Sequence, residues 1–397
     1  MKGLFLFIAY MIIKEVSTKS DIKSFLSLPV GLYKNHDKWI RPLDKDIEAV
    51  FDKQLNKYFR HGQCTRWILT DQSGKVIGRV AAFINNKTAK STSIVTGGMG
   101  FFECIDDQNS AIKLFETCKA WLEERGMAAM DGPVNFGERD KWWGLLVDGF
   151  QEEPNYCMPY TLPYYQKLFE DYGFKEYFKQ YTYHRLVETP LDQIYIEKAE
   201  RIARDPKYHI EHISKKNLEK YAEDFVVIYN AAWSKHSGVK GMNKAQAMSI
   251  MNQLKPILDE EIILFAYYDN KPIGFFLMIP ELNQIFKYCH GKFGPIQKLI
   301  FLYHQWRKTC KKIFGVAFGI IPEFQGKGLE GALVQASAKL TQPKARYKTF
   351  EMNWIGDFNP KMMHVAESVG GSIIKTHITY RKIFDPAVPF ERAPFID

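Results

Sequence analysis

The sequence contains few cysteines, and none of them stands in a paired spacing. The six lie at positions 64, 104, 118, 157, 289 and 310 of 397 residues. Structural zinc sites and redox pairs place two cysteines only about two to four residues apart, and disulfide frameworks need a denser pattern. We therefore expect no metal site and no disulfides, and the pattern favours a reducing, cytoplasmic environment.

Long apolar runs are also scarce. The stretch GLFLFIAYMII at residues 3–13 is apolar, but a helix needs about 20 such residues to cross a bilayer. No small-residue cleavage site follows it, so we interpret it as a buried first strand rather than a signal peptide. The composition, 46% hydrophobic and 25% charged, is typical of a folded globular protein, and the length predicts two domains.

Acidic residues are missing from one segment of a chain whose net charge is +9. Between Leu282 and Pro322 there is no Asp or Glu, while seven cations alternate with aromatic and aliphatic residues: Lys287, Lys292, Lys298, Arg307, Lys308, Lys311 and Lys312. A helix over residues 298–314 would have one apolar and one basic side. Such a helix suits an anionic membrane surface or a long acyl chain beside phosphates. The alternative is a core-facing helix with a solvated basic face.

The two halves of the sequence show the same order of predicted elements. In the first, a hairpin turns at residues 72–74, a strand covers 93–104, and a helix capped by DDQN at 106–109 ends at Gly126. In the second, a strand at 209–213 and a helix at 218–233 precede a hairpin about Asp269-Asn270, a strand at 314–321 and a helix at 329–340. Residues 163–185 align without a gap with residues 360–382, each a proline-initiated helix followed by a strand.

This repetition predicts an internal duplication and an α/β fold of two domains. We place the first domain at residues 1–189 and the second at 207–385. A short amphipathic helix at 190–206, bracketed by Thr-Pro and Asp-Pro pairs, is interpreted as the linker because proline interrupts helices. Residues 386–397 form a tail.

The second half also contains a glycine-rich turn between a predicted strand and a predicted helix, IPEFQGKGLEGA at residues 321–332. The first turn of a helix has backbone N–H groups without internal partners, and the helix dipole adds positive charge there. Glycines let the backbone approach phosphate oxygens closely. The turn therefore indicates a diphosphate site, with Lys327 adding charge. An ordinary tight turn that starts a helix is the alternative.

The segment QGKGLEG at residues 325–331 resembles the Q/R-x-x-G-x-G/A signature of the GNAT superfamily, and Ile321-Pro322 resembles its V-x-P lead-in. The resemblance covers both halves in element order, although the signature occurs only in the second. It implies two GNAT-like domains in tandem, each a mixed, mostly antiparallel twisted sheet flanked by helices. Short motifs at residues 78–82, 131–135 and 229–233 further resemble a bacterial tandem-GNAT group, some of whose members acylate sphingoid bases.

The resemblance implies acyl-coenzyme A as co-substrate, with the pyrophosphate held by backbone amides of residues 325–329. The strand at 315–321 would separate from its neighbour, so that the pantetheine pairs with its edge. The cofactor positions implied in this way are Ile320, Ile321, Gln325, Gly326, Lys327, Gly328, Leu329, Gly331 and Asn359. The first half has ECIDD at residues 103–107 in place of the turn, so one coenzyme A per chain is expected.

Acyl transfer to an amine needs an acid for the leaving thiolate. GNAT enzymes often use a tyrosine, but the corresponding position here is Ala366. His364 on the same helix and Tyr380 on the following strand are the candidates that replace it. A solvated helix histidine is the alternative for His364.

The same reaction needs a base to take the proton of the amine. Glu351 opens the fifth strand of the second half. Glu281 follows the third strand, a position that faces the acceptor side in GNAT folds. His236, in a loop that lines the acceptor side in these folds, is a third candidate. Surface solvation is the alternative for the two carboxylates.

Together these features predict an acyl-CoA-dependent N-acyltransferase, and more specifically one that moves a long-chain acyl group to a lipid amine such as a sphingoid base. The predicted localisation is cytoplasmic, with peripheral contact to an anionic membrane through residues 287–312. One alternative is a tRNA-dependent aminoacyltransferase of the Fem type; the intact turn disfavours it, and nucleic acid is not an expected partner. The other is a non-catalytic coenzyme- or lipid-binding protein, which the missing tyrosine favours.

Overall fold

The structure is a computed structural model that describes residues 11–91, 93–233 and 241–395. The strands are β1 (Ile12–Glu15), β2 (Gly62–Thr70), β3 (Val76–Asn85), β4 (Thr96–Cys104), β5 (Ala129–Gly132), β6 (Leu145–Asp148), β7 (Lys175–Leu186), β8 (Tyr208–His212), β9 (Ile263–Tyr268), β10 (Lys271–Pro280), β11 (Lys312–Ile320), β12 (Thr349–Gly356) and β13 (Ser372–Ile383). The α-helices are α1 (Lys19–Leu32), α2 (Asp44–Phe51), α3 (Gln108–Glu123), α4 (Tyr165–Tyr172), α5 (Gln193–Ala203), α6 (Leu218–Trp233), α7 (Lys244–Leu254), α8 (Asn283–Phe286), α9 (Pro295–Trp306), α10 (Leu329–Thr341) and α11 (Pro360–Ser368).

The strands form one continuous mixed sheet in the order β1-β2-β3-β4-β5-β13-β7-β12-β11-β10-β9-β8, with β6 pairing to β13. Neighbouring strands run antiparallel, except that β4 is parallel to β5 and β11 is parallel to β12. The predicted hairpins are both present, as β2 with β3 and as β9 with β10. The α/β prediction with a mostly antiparallel sheet is therefore confirmed.

The last strand of each half is exchanged with the other half. Strand β13 pairs with β5, and β7 pairs with β12, while β7 and β13 pair with each other in the middle. These two strands are the ones that the repeated segments predict, since β7 and β13 occupy matching positions in the gap-free alignment. The two halves are thus joined through these two matching strands, and the sheet is continuous across them.

Each half has its own core because helices cover the sheet there. In the first half, α3 buries Leu114, Phe115, Cys118 and Leu122 completely, the same apolar face that its sequence predicts. In the second half, α10 packs on one face of the sheet and α6 with α7 on the other. Helix α5, in the predicted linker, packs against α10.

The N-terminal prediction falls partly outside the described residues, which begin at residue 11. The described strand β1 is a largely exposed edge strand beside β2 rather than a buried one. Helix α1 follows it, and its N-cap is Thr18, whose side chain accepts from Asp21 N. Asp21 completes a capping box, so the polar residues after β1 start the helix.

Candidate functional site

The candidate site lies where β11 and β12 separate. The two strands pair in parallel over four positions, from Lys312 with Thr349 to Gly315 with Met352. Strand β11 continues to Ile320 and stays paired with β10, but among the described residues it has no further pairing with β12. The edge of β11 beyond Gly315 therefore borders a wedge-shaped opening, as the resemblance implies for the pantetheine.

A β-bulge lies at the apex of this wedge. Leu277 pairs with Ala317 whereas the next residue of β10, Met278, pairs with Gly315, so Val316 is the extra residue. A bulge leaves its extra residue without a ladder partner and bends the strand. Val316 is half-exposed although its neighbours belong to a central strand. The bulge thus presents unpaired backbone where the two strands begin to part.

The glycine turn connects β11 to α10 at the open end of the wedge. Gly326 and Gly328 have φ angles of 70° and 95°, values that residues with a Cβ rarely adopt. Gly328 is the N-cap of α10, so the N-terminus of a 13-residue helix faces the turn. The side chain of Gln325 donates to the carbonyl of Ile320 at 2.8 Å and fastens the turn to the end of β11.

Cationic side chains from the linker helix border the same turn. Arg201 of α5 donates to the carbonyl of Lys327 at 2.7 Å, and a Cβ added to Gly328 would lie 2.8 Å from the Arg201 guanidinium. Lys198 lies next to Gly328 and Gly331. Because α5 packs closely here, its two cations join Lys327 of the turn near the start of α10, and all three would attract an anion.

One acidic residue opposes this arrangement. Gly326 N donates to the carboxylate of Glu330 at 3.1 Å, so a side chain of the helix's first turn accepts from an amide that the resemblance assigns to pyrophosphate. The Q/R-x-x-G-x-G/A signature has six positions. When Gln325 is the first, the last, which is Gly or Ala in the signature, is Glu330, so the sequence departs from the signature there. The carboxylate is favoured by the helix dipole, but it competes with any anionic ligand for the same amide.

Glu330→Gln is therefore expected to tighten the binding of free coenzyme A about threefold, since it removes a partly exposed like charge. Isothermal titration calorimetry measures the effect. Glu323→Gln is the matched control because Glu323 lies exposed in the same turn and its charge is removed in the same way. Weaker binding by Glu330→Gln, or an equal gain in both variants, would contradict competition at Gly326.

In the first half, strands β4 and β5 separate in the same way, but the backbone that follows β5 fills the gap between them. Strands β4 and β5 pair only from Thr96 to Gly98, and Val134 N then donates to Met99 O at 2.7 Å. A Cβ on Gly100 would lie 1.9 Å from the Val134 carbonyl, so the backbone occupies the gap. Asp107 caps α3 by accepting from Ser110 N. The gap between β4 and β5 is therefore filled, unlike the opening beside β11.

A buried cluster of charged and polar side chains lies at the narrow end of the wedge, where the two halves meet. We call it the junction cluster and define it as Asn155, Glu281, Lys312, Glu351 and Lys375. Glu351, directly before Met352, contacts Lys312 Nζ at 2.5 Å and Lys375 Nζ at 3.0 Å. Asn155 of the first half donates to Glu351 at 2.6 Å and accepts from Lys312 at 3.3 Å. Lys312, Lys375 and Asn155 therefore meet at Glu351, whereas Glu281 joins the cluster through its backbone N–H, which donates to the Lys312 carbonyl at 3.0 Å.

The pKa values of the two carboxylates in the junction cluster are shifted in opposite directions. Burial raises the pKa of Glu281, whose carboxylate accepts from Tyr156 N and Asn283 N at 2.7 and 3.0 Å. Burial also acts to raise the pKa of Glu351, but the nearby His184 imidazole and the charges of Lys375 and Lys312 hold it well below its ordinary value. Of the two carboxylates, Glu281 is therefore the more basic.

The other predicted residues are buried in a core, cap a helix or are exposed to solvent. Tyr380 is buried in the core of the first half and donates to Glu170 at 3.0 Å. Asn359 caps α11 by accepting from Met362 N, and Leu329 is fully buried in the second core. His364 is exposed on α11, where Ala366 is completely buried. His236 lies outside the described residues.

The structure adds residues that sequence reasoning did not select. Lys375 is 3% exposed and Asn155 is 1% exposed, yet neither belongs to a motif. A lysine inside the predicted strand SIIKTHITY was a usable signal, since buried charges are almost always paired. Lys312 counted only as one of seven cations, whereas it is the one that turns inward to Glu351.

Two further observations concern the described parts of the chain. All six cysteines have free thiols, and no three His, Cys, Asp or Glu side chains there converge as metal ligands. No helix in those parts combines the length and the apolar character needed to cross a bilayer.

No family model matches the chain. The sequence is 25% identical over 372 residues to the bacterial ceramide synthase of Caulobacter vibrioides, which covers 92% of this chain and 96% of that protein. The fold is similar to a tandem GNAT protein from the clavulanic acid biosynthesis pathway, with a TM-score of 0.53, 10% identity, and 96% of this chain and 100% of that chain covered.

It is also similar to a GCN5-related glucosamine N-acetyltransferase region of a fungal multi-domain β-N-acetylglucosaminidase, with a TM-score of 0.55 and 11% identity. That match covers 94% of this chain, which spans only 38% of the fungal protein. Because both likenesses extend over nearly all of the sheet and helices described above, this chain has the tandem GNAT fold.

Proposed function

We propose that the protein transfers an acyl group from acyl-coenzyme A to an amine. The observation that carries the proposal is the continuous unit of β11, the glycine turn and α10. It combines an open strand edge, a bulge at Val316 and a helix N-terminus with left-handed glycines. Such a unit suits a ligand with a diphosphate at one end and an amide-containing arm, because each part of the ligand meets matching backbone groups.

The donor would lie along the wedge with its diphosphate at the turn. Amides of the turn and the side chains of Lys198 and Arg201 would hold the phosphates. The amide-containing arm would pair with the edge of β11 and bring the thioester towards Val316. The thioester carbon would then lie near the apex, where Gly315 pairs with Met352, the residue after Glu351.

In the chemical step, the neutral amine nitrogen forms a bond to the thioester carbon and the carbon–sulfur bond breaks. We assign Glu281 as the acceptor of the amine proton because burial raises its pKa. The thiolate takes up a proton from solvent and leaves as free coenzyme A, and Glu281 then returns the amine proton to solvent. With Ala366 in place of the usual tyrosine, the positive charges of Lys312 and Lys375 in the junction cluster would stabilise the negative charge that develops on the substrate.

The proposed acceptor is a lipid amine, and the proposed acyl group is long. A relative named bacterial ceramide synthase supports this choice, since a ceramide is a fatty acid joined to a lipid amine. The apolar residues of α9, which lies beside the junction cluster through Leu282 and Phe286, are compatible with such a substrate.

Calorimetry followed by a thiol-release assay tests the proposal. We expect the purified protein to bind free and palmitoyl-coenzyme A, and to release thiol only when an amine such as sphinganine is added. Failure to bind any coenzyme A species would overturn it. Binding without thiol release from any amine would instead favour the non-catalytic binding protein, which Ala366 already makes a serious alternative.

A further inference from the structure

Helix α9 exposes an unusual amount of apolar surface. Five of its large apolar side chains are each between 56% and 76% exposed: Ile296, Leu299, Leu302, Tyr303 and Trp306. Only a few hundred Å² of contiguous apolar surface is usual on a soluble monomer. Single exposed apolar side chains are normal on a protein surface, but a group of five on one helix indicates an interaction site.

The five side chains share one face of the helix. At about 100° per residue they fall within an arc of roughly 120°. Phe301 projects from the opposite side, where it is buried against Leu282, Ile285 and Phe286. The helix is thus fastened to the protein by one face and presents the other outward. We call this outward face, with its five residues, the α9 face.

Positive charges flank the α9 face. Lys292, Lys298, Arg307 and Lys308 are exposed, and no acidic residue occurs in the sequence from Leu282 to Pro322. A helix with apolar residues outward and cations at its borders lies in the interface of an anionic bilayer, where the cations meet lipid headgroups. Among the described residues no helix could cross the bilayer, so the binding mode would be peripheral.

The positive charges also indicate which kind of partner suits the α9 face. A second copy of the chain would bring the same cations against each other, which opposes pairing through this face. A nucleic acid would meet the cations but leave five apolar side chains uncovered by any matching surface. An anionic bilayer satisfies both features at once.

We propose that the α9 face docks on an anionic lipid bilayer. Phe301 and His304 of α9 line a cavity of about 850 Å³ whose other walls include Leu282 and Lys311. These two residues directly follow Glu281 and precede Lys312 of the junction cluster. The docked helix therefore lies on one side of a cavity that borders the proposed chemical site. The docking itself does not depend on the proposed reaction.

Vesicle flotation of the full-length protein tests the docking. We expect at least tenfold more protein on vesicles of phosphatidylcholine with 30% phosphatidylglycerol than on phosphatidylcholine alone. Leu299→Asp and Trp306→Asp are each expected to reduce this binding tenfold or more. Lys292→Glu with Lys298→Glu should remove the preference for the anionic lipid. Leu55→Asp is the matched control, because Leu55 is 72% exposed in the other half and should leave binding unchanged.

Circular dichroism shows whether each variant is folded. Calorimetry with coenzyme A shows whether donor binding is kept, so that a loss of docking is distinguished from a failure of the proposed reaction. Absence of flotation with either vesicle would overturn the docking, and so would an equal loss in Leu55→Asp. A dimer in light scattering that Leu299→Asp converts to monomer would assign the face to a second copy instead.

Discussion

Gly326→Asp is expected to weaken coenzyme A binding on the order of 100-fold. Its Cβ would meet nothing within 4 Å, and Asp tolerates the positive φ of this position better than most residues. The variant should therefore fold normally. The loss comes from charge, since a carboxylate about 5 Å from a phosphate at an effective dielectric constant of about 20 costs roughly 3 kcal/mol. Calorimetry with free coenzyme A measures it.

Gly326→Asn is the matched control for this variant. It has the same shape and the same tolerance of the left-handed region, but it carries no charge. We expect it to lose much less affinity than Gly326→Asp. If the two variants bound equally, or if Gly326→Asp bound as the natural protein does, the turn would be an ordinary connection and the diphosphate site would lie elsewhere.

Glu351→Ala is expected to lower the free energy of unfolding by about 3–5 kcal/mol, the usual cost of removing one partner from a buried ion pair. Glu351 is 0% exposed and contacts two lysines that are themselves shielded from solvent. Without it, Lys312 and Lys375 would face each other as uncompensated charges. Urea denaturation followed by circular dichroism measures the change.

A triple variant separates the charge from the packing. Lys312→Met, Glu351→Leu and Lys375→Met together remove all three charges and keep apolar volume, so most of the lost stability should return. We expect this variant to be folded but inactive, because it lacks the proposed cations at the apex. A triple variant as unstable as Glu351→Ala would show that packing, not charge, causes the loss. A triple variant with full activity would remove the lysines from the proposed mechanism.

The sequence predicted those elements whose signals are local. The glycine turn, the helix at residues 329–340 and both hairpins rest on neighbouring residues, and all are present. The helix at residues 218–233 is found at the same bounds. Strong 3.6- and 2-residue periodicity, together with turn residues at fixed offsets, carries this information without reference to distant contacts.

The junction cluster and the strand exchange could not be predicted from such local signals. Asn155 and Glu351 are 196 residues apart in sequence, and neither local periodicity nor motif spacing reports which distant groups meet. Tyr380 shows the consequence: its place after a predicted helix suggested a role in the second half, but strand exchange puts it in the first core. The contact of Glu330 could not be predicted for another reason, because only the structure shows that its carboxylate accepts from Gly326 N.

The exchange of β7 and β13 has a consequence for biosynthesis. Strand β5 belongs to the first half, and Asp131 on it forms a two-point ion pair with Arg381, 250 residues later. At translation rates of about 5–20 residues per second, the ribosome needs roughly 10 to 50 s to add that partner. For this period the nascent first half carries an unpaired strand edge, which is a template for aggregation. Yield in the cell therefore depends on how well chaperones shield β5 until the last strand emerges.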